Sequence, residues 1–261
     1  MRILALGDVV GRAGRKAIID ALPEVKKEYK VDFVVVNVEN AAGGFGLMPY
    51  MGEEFLASGV DVMTSGNHIY DKRDIYDYIA TQPRLLRPAN YAPEAPGKGM
   101  WIGESSCGVL VAVINLQGRV FMAANDCPFR AADSCIAIAK AKGAKIILVD
   151  HHAEATSEKM ALAWYLDGRV TAVVGTHTHI QTADERILAD GTAYITDLGM
   201  TGPYNSVVGL ETQGIIERFL YGMPKKFEPA KDNVKLCGVL IDADATTGKA
   251  TSIRRLQIPY D

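Results

Sequence analysis

The chain has 261 residues, with 28 Lys and Arg against 31 Asp and Glu and 48% apolar residues, the balance of an ordinary globular protein. That composition excludes a disordered chain, a collagen-like repeat and a small disulfide scaffold. A formal charge of -3 gives no overall field for a polyanion, so duplex nucleic acid is not an expected partner, while a local anion site stays open.

In chain order, the first predicted strand is Arg2 to Leu6, followed by a helix from Arg15 to Tyr29 in which Pro23 is expected to kink or restart the helix. A strand at Phe33 to Val38, a helix at Met48 to Ser58 and a strand at Val60 to Thr64 complete an early βαβ half. Thr81 to Gly99, punctuated by Pro83, Pro88, Pro93 and Pro96, reads as an irregular connection and not as a domain boundary. Strands at Val109 to Leu116, Lys145 to Val149 and Val170 to Gly175 then alternate with helices at Ala131 to Lys142 and Ser157 to Leu166. After His179 the pattern turns to hairpins, Glu185 to Leu188 with Thr192 to Thr196 and Val234 to Ile241 with Thr251 to Ile258, so the C-terminal part is expected to be antiparallel. The alternation predicts an α/β protein with parallel strand pairs, organised as one domain over 1–261.

The 4 cysteines form no Cys-x-x-Cys pair, which argues against a zinc ribbon or a disulfide framework and for reduced thiols in a cytosol. The apolar stretch from Ile3 to Leu6 ends at Gly7 and Asp8, and no apolar run approaches the roughly 20 residues of a membrane span. A cytoplasmic protein with no membrane partner is therefore expected.

Metal-ligand side chains stand at the carboxyl ends of successive predicted strands: Asp8, then Glu39 and Asn40, then Asn67 and His68, then Asp150, His151 and His152, and finally His177 and His179. Such ends share one edge of an α/β sheet, where ligands bind. A mixed oxygen and nitrogen set without thiolates suits manganese, iron, zinc or magnesium and disfavours a closed structural zinc site. Two ions account for the set better than one, because a carboxylate such as Glu39 can bridge centres about 3.5–4 Å apart. His177 and His179 would project to the same side of an extended segment and bind one ion each. Taken singly, each group has a plainer reading as a turn, cap or surface residue; their joint placement is what carries the signal. Gly7, Gly11 and Gly14 do not match a dinucleotide-binding G-x-G-x-x-G, and Asp8 would repel a pyrophosphate there, so these glycines are expected to let backbone pass close to the metal pocket.

The strings Gly7 to Arg12, Asn37 to Gly46, Gly66 to His68, Gly118 to Met122, His152 to Lys159, Gly175 to His179, Thr196 to Pro203 and Arg218 to Leu220 span nearly the whole chain. With them the sequence resembles the calcineurin-like metallophosphoesterases, and within these the YmdB-type branch. The resemblance implies a four-layer α/β/β/α sandwich with mixed sheets. It implies that Asp8, Glu39, Asn40 and His179 hold one ion and Glu39, Asn67, His152 and His177 the other, with iron or manganese expected and zinc or magnesium as alternatives. Val10 stands where the wider superfamily has a histidine, and Glu39-Asn40 replaces its usual bridging aspartate motif; both departures are shared with the branch. His151 is left outside the site.

The implied activity is hydrolysis of small phosphodiesters, with 2',3'-cyclic nucleotides preferred and 3',5'-cyclic ones as the alternative. A hydroxide held between the ions would attack phosphorus in line, assisted by His68 as hydrogen-bond donor or general acid. Phe45, Tyr91, Phe121 and Tyr204 are sources of a stacking surface for a base, each with packing as its plainer role. The competing classes are a metal-dependent nucleotide-binding regulator with little turnover and a metal hydrolase of amide or ester bonds. The late position of His177-x-His179 counts against an amidohydrolase barrel. The resemblance also raises a homo-oligomer as an expectation.

Overall fold

The computed structural model describes residues 1–260. Along the chain run β1 (Arg2–Leu6), β2 (Asp8–Val9), α1 (Gly11–Tyr29), β3 (Phe33–Asn37), α2 (Pro49–Ala57), β4 (Val62–Thr64) and α3 (Ile75–Thr81). The middle holds β5 (Met100–Glu104), β6 (Leu110–Gln117), α4 (Pro128–Ala141), β7 (Ile146–His152), α5 (Thr156–Leu166) and β8 (Ala172–Thr176). The remainder is β9 (Arg186–Ile187), β10 (Ala193–Ile195), β11 (Met200–Pro203), α6 (Thr212–Tyr221), β12 (Val234–Ala243) and β13 (Ala250–Tyr260). One mixed sheet orders its strands β2-β11-β12-β1-β3-β4 with β13 on β12, and a second orders them β5-β6-β7-β8-β10-β9.

The period-two alternation of each strand assigns its two faces to two different cores. Leu4, Leu6, Val34 and Val36 face Ala17, Ile18 and Leu22 of α1 and Met51 and Phe55 of α2. Their neighbours Ile3, Ala5, Phe33 and Val35 point the other way and meet Val111, Val113, Ile146, Leu148, Ala172 and Val174 of the second sheet. The far face of that sheet, with Ala112, Ile114, Ile147 and Val173, covers Ala132 and Ile136 of α4 and Leu162 and Leu166 of α5. The layers are thus α/β/β/α, as the resemblance implies.

Pro23 neither kinks nor restarts the first helix, which continues through it from Gly11 to Tyr29. An interior proline costs about 3 kcal/mol, but Pro23 is exposed while Ile18 and Leu22 are fully buried. Burial of those two side chains, at about 1.5–3 kcal/mol each, offsets the loss. The helix begins at Gly11, earlier than its apolar pattern predicts, and its first turns run so close to β11 that a Cβ on Gly14 would stand 2.1 Å from the Thr201 carbonyl oxygen. Gly14 therefore serves the approach of helix to strand, while Gly7, next to Asp8, lets the backbone pass the Gly199 carbonyl oxygen, 1.8 Å from where a Cβ would stand.

The antiparallel expectation for the C-terminal part holds for β12 with β13, β12 with β1 and β9 with β10. It holds for β11 with β12 as well, but β10 and β11 also pair in parallel on their other edges, with β8 and β2. Each of those strands is short and borrows its direction from a distant partner, which a local turn signal does not encode.

Candidate metal centre

Towards the carboxyl ends of the strands, the layer between the sheets changes from apolar to polar without changing its period. The apolar series Phe33, Val35 continues as Asn37, Val62 as Thr64, Val111 and Val113 as Asn115 and Gln117, Ile146 and Leu148 as Asp150 and His152, and Ala172 and Val174 as Thr176. Asp150, fully enclosed, ties the two sheets together at this level: its carboxylate accepts from the hydroxyls of Thr64 at 2.5 Å and Thr176 at 2.7 Å and from the Asn37 amide at 3.2 Å. Burial pushes the Asp150 carboxyl up to about 6 against those hydrogen bonds. His151 points to the opposite face of β7, buried, with neither ring nitrogen hydrogen-bonded.

Above this floor lies His152, at the end of β7. Its Nε2 stands 3.0 Å from Glu39 Oε1, 2.9 Å from Asn67 Oδ1 and 3.1 Å from His177 Nδ1. A single proton cannot serve three such neighbours together, whereas ligand atoms about 3 Å apart match the edges of an octahedron with metal bonds of about 2.1 Å. Glu39, His152 and His177 each offer one ligand atom, all within 4.8 Å of one another. Gly66 makes the arrangement possible, since a Cβ there would lie 2.1 Å from His152 Cδ2.

Beside this group stands a second. The Asn40 amide nitrogen lies 3.2 Å from His179 Nε2, and a half-turn of the amide would present oxygen in its place. His179 Nε2 is 3.8 Å from Asp8 Oδ1, an oxygen that is buried with no hydrogen-bond partner. An orphaned buried carboxylate oxygen costs on the order of 1–3 kcal/mol or more, a cost that a cation removes. Asp8 Oδ2 accepts from the backbone N–H of His177 at 3.1 Å, which couples the two groups. The donor set therefore fits two cations, with Glu39 next to both: its Oε1 faces His152 and lies 3.4 Å from the Asn40 amide.

The outer nitrogen of each candidate histidine ligand is fixed. His152 Nδ1 meets the Thr176 hydroxyl at 2.9 Å, His179 Nδ1 donates to the Val208 carbonyl at 2.8 Å, and His177 Nε2 faces Glu154 Oε2 at 3.1 Å. Such partners set the tautomer and aim the other nitrogen inward. The electrostatics agree. Burial opposes charge on His152, but Glu39, Asp8 and Asp150 outweigh it and hold its imidazole up at about 9, while the same contact brings Glu39 down to about 2 in spite of its burial. Burial and then the neighbouring His152 push His177 down to about 3, and burial raises the Asp8 carboxyl.

The structure brings Asp8, Glu39, Asn40, Asn67, His152, His177 and His179 together, as their strand-end positions lead one to expect. The route differs for two of them. His177 and His179 are not on an extended segment; their φ angles of 99° and 64° are left-handed, which costs on the order of 1–3 kcal/mol for each non-glycine residue. Both nevertheless line the same cleft of about 340 Å³ with Glu39, Asn40, His68, Phe45 and Glu154. A cleft of about 650 Å³ lies beside Asn90, Arg119 and Arg130 and includes none of these residues. His68 keeps its backbone N–H on Glu39 Oε2 at 2.9 Å and its Nδ1 against Asp71 Oδ2 at 2.7 Å.

Of the aromatic candidates, Phe45 lines the cleft and meets the His68 ring edge-on at 4.9 Å. Tyr91 is tied by its hydroxyl to Gln117, and Tyr204 to Cys237 and the Met200 carbonyl. Phe121 is 89% exposed and is not among the lining residues. Glu154 and Thr176 escape a search for strand-end ligands, whereas Asp150 belongs to the strand-end set and lies beneath the ligands as their support. The period-two continuation of β7 and β8 marks Asp150 and Thr176; nothing local marks Glu154.

A family model described as YmdB-like protein matches residues 4–256. The chain is 51% identical over 261 residues to a protein of Bacillus subtilis (strain 168) named 2',3'-cyclic-nucleotide 2'-phosphodiesterase, covering 100% of this chain and 98% of that one. Among solved structures, a hypothetical protein from Thermus thermophilus superposes with a TM-score of 0.93 at 39% identity, covering 100% of both chains. A structure described as a novel phosphatase of Mycoplasma pneumoniae gives a TM-score of 0.92 at 34% identity, covering 99% of this chain and 93% of that one.

Proposed function

The chain belongs to the YmdB-like family, and on that footing we propose that it is a metal-dependent phosphoric diester hydrolase acting on 2',3'-cyclic nucleotides in the cytoplasm, its 1–261 span serving as one metallophosphoesterase domain. The observation that carries this is the convergence on His152 Nε2 of Glu39, Asn67 and His177 at 2.9–3.1 Å, with Asp8, Asn40 and His179 alongside. The 51% identity to a protein named for that activity supports the choice of substrate.

In this reading Asp8, Glu39, Asn40 and His179 hold one ion and Glu39, Asn67, His152 and His177 the other, with iron or manganese as first choices. The bound ions would supply charge neutralisation at the phosphate and a water of lowered pKa. Water adds to phosphorus as the bond to the 2'-oxygen breaks, leaving a 3'-phosphate. His68 assists: its Nδ1 is engaged by Asp71, so Nε2 is the nitrogen that donates to a phosphate oxygen or protonates the departing 2'-oxygen. Phe45, edge-on to His68, walls that side of the cleft and offers the base an apolar surface.

The test is chelator-stripped protein reloaded with Mn²⁺, Fe²⁺, Zn²⁺ or Mg²⁺ and offered 2',3'-cyclic nucleotides, 3',5'-cyclic nucleotides and a model diester. Uptake of a pair of ions together with release of nucleoside 3'-phosphate is expected. Undiminished hydrolysis after exhaustive stripping would overturn the reading, as would tight binding of a 2',3'-cyclic nucleotide without turnover at full metal load.

A further inference from the structure

Behind the cleft lies a buried ion pair that the proposed reaction does not use. Lys159 of α5 and Asp197, which follows β10, have side chains only 1% and 0% exposed, with Nζ 2.7 Å from Oδ2. Enclosing two charges gains no stability unless further hydrogen bonds complete the pair, and here they do so at one informative place. Asp197 Oδ2 also accepts from the backbone N–H of Thr178 at 3.1 Å and from its hydroxyl at 2.7 Å, while Oδ1 accepts from the Gly199 N–H at 2.9 Å.

Thr178 is the residue between His177 and His179, and both of those are left-handed. Without a hold on the middle residue, nothing in the local sequence favours that backbone over an extended one. The Thr182 N–H donates to the Asp197 carbonyl at 3.1 Å, the Thr182 hydroxyl oxygen accepts from the Asp197 N–H at 2.9 Å, and the Met200 N–H donates to the His179 carbonyl at 3.1 Å, so the far end of the loop is tied to the same segment.

We infer that Asp197, held in place by Lys159, is the positioning residue for the His177–Thr178–His179 loop, presenting one histidine to each half of the metal centre. The inference rests on the metal-centre reading above. Asp197 touches no substrate; it acts through Thr178.

The test uses Mn²⁺ alone as the probe. The readouts are calorimetric affinity and stoichiometry, the spin-coupling signature of an Mn²⁺ pair, and the melting temperature of the metal-free protein. Asp197→Asn should weaken Mn²⁺ binding by about tenfold to a hundredfold, the scale on which outer partners of metal ligands act. Replacing both members, Lys159→Met with Asp197→Leu, removes the buried charges together and should leave metal-free melting close to wild type, since apolar replacement of a buried pair is often neutral. If Asp197 positions the loop, that double variant still binds Mn²⁺ at least about tenfold more weakly and its spin-coupling signature is lost. If the pair only supports the fold, the double variant recovers wild-type Mn²⁺ affinity, and the inference is overturned. Should the Asp197 variants fail to fold, Thr178→Val decides: it removes only the hydroxyl contact, and weaker Mn²⁺ binding at unchanged melting supports the role, whereas unchanged affinity refutes it. Wild-type protein that takes up no Mn²⁺ would refute the metal centre itself, a result distinct from any difference among these variants.

Discussion

Around His152 Nε2 three candidate ligand atoms stand within 2.9–3.1 Å, whereas across the cleft Asp8 Oδ1 has no hydrogen bond and lies 3.8 Å from His179. The two halves rest on different supports. His152 is the last residue of a strand held in the middle of its sheet, between β6 and β8, and its outer nitrogen is fixed through Thr176 to Asp150. His179 sits on a left-handed loop held at its middle by Asp197 through Thr178, with the His179 ring on the Val208 carbonyl and its own carbonyl on the Met200 N–H. Around His152 the candidate ligand atoms already stand in contact, whereas Asp8 and His179 keep a wider gap between them.

With Glu39 as the proposed bridge, Glu39→Gln should release both ions and lower kcat/KM by about a thousandfold or more, roughly 4 kcal/mol of transition-state stabilisation. Metal analysis beside steady-state kinetics checks it, and a variant retaining the full metal load would remove the bridge from the scheme. His68 touches Glu39 only through its backbone. His68→Ala should therefore lower kcat by about a hundredfold or more, the usual scale of general-acid assistance, with the metal content of both halves unchanged. Normal turnover in that variant would mean the proton comes from elsewhere.

Graded chelation of the loaded enzyme addresses the halves directly. Two release steps are expected, the Asp8 ion leaving first with a dissociation constant about tenfold the larger, equal to about 1.4 kcal/mol. Asp8→Asn should abolish that step and preserve the other, and simultaneous loss of both ions in the variant would show that the halves are not independent. The smallest effect concerns the support of the loop. Burial raises Asp184, but its hydrogen bonds from Thr182 and Thr196 outweigh this, and its carboxyl is lowered overall. A lowered folded-state pKa stabilises the fold above the ordinary carboxylate range, and the contribution disappears as pH falls through the folded value. Metal-free wild type should accordingly lose a few degrees of melting temperature more than Asp184→Asn below about pH 4; parallel curves for the two proteins would exclude it.

Much of this architecture is written in the sequence at short range. The apolar runs of β1, β3, β4, β6, β7 and β8 are found within a few residues of their ends, and the polar residues that follow them include every candidate ligand. Local reading is blind where direction or contact comes from a distant partner. The two-residue β2 and the four-residue β11 exist because Asp8 and Val9 pair with Met200 and Thr201, and α6 has apolar residues at helical spacing yet buries only Ile215, leaving Phe219 and Leu220 exposed. Lys159 and Asp197 look like solvated charges on paper. Only the packing of α5 against β8 and β10 shows them enclosed and joined.

Strand β12 carries a consequence for synthesis. Residues 234–243 pair with β1 and β13, and Lys235 and Val234 also hold β11. The Gly7 N–H, next to Asp8, is bonded to the Cys237 carbonyl. A nascent chain arrested before Val234 can form the βαβ units at its beginning, but it lacks the strand that fixes the turn bearing Asp8. Such pairings between the two ends of a chain form late and slowly. A chain cut short before Val234 is therefore expected to bind no ion at this cleft, because the partner that holds Gly7 beside Asp8 is missing.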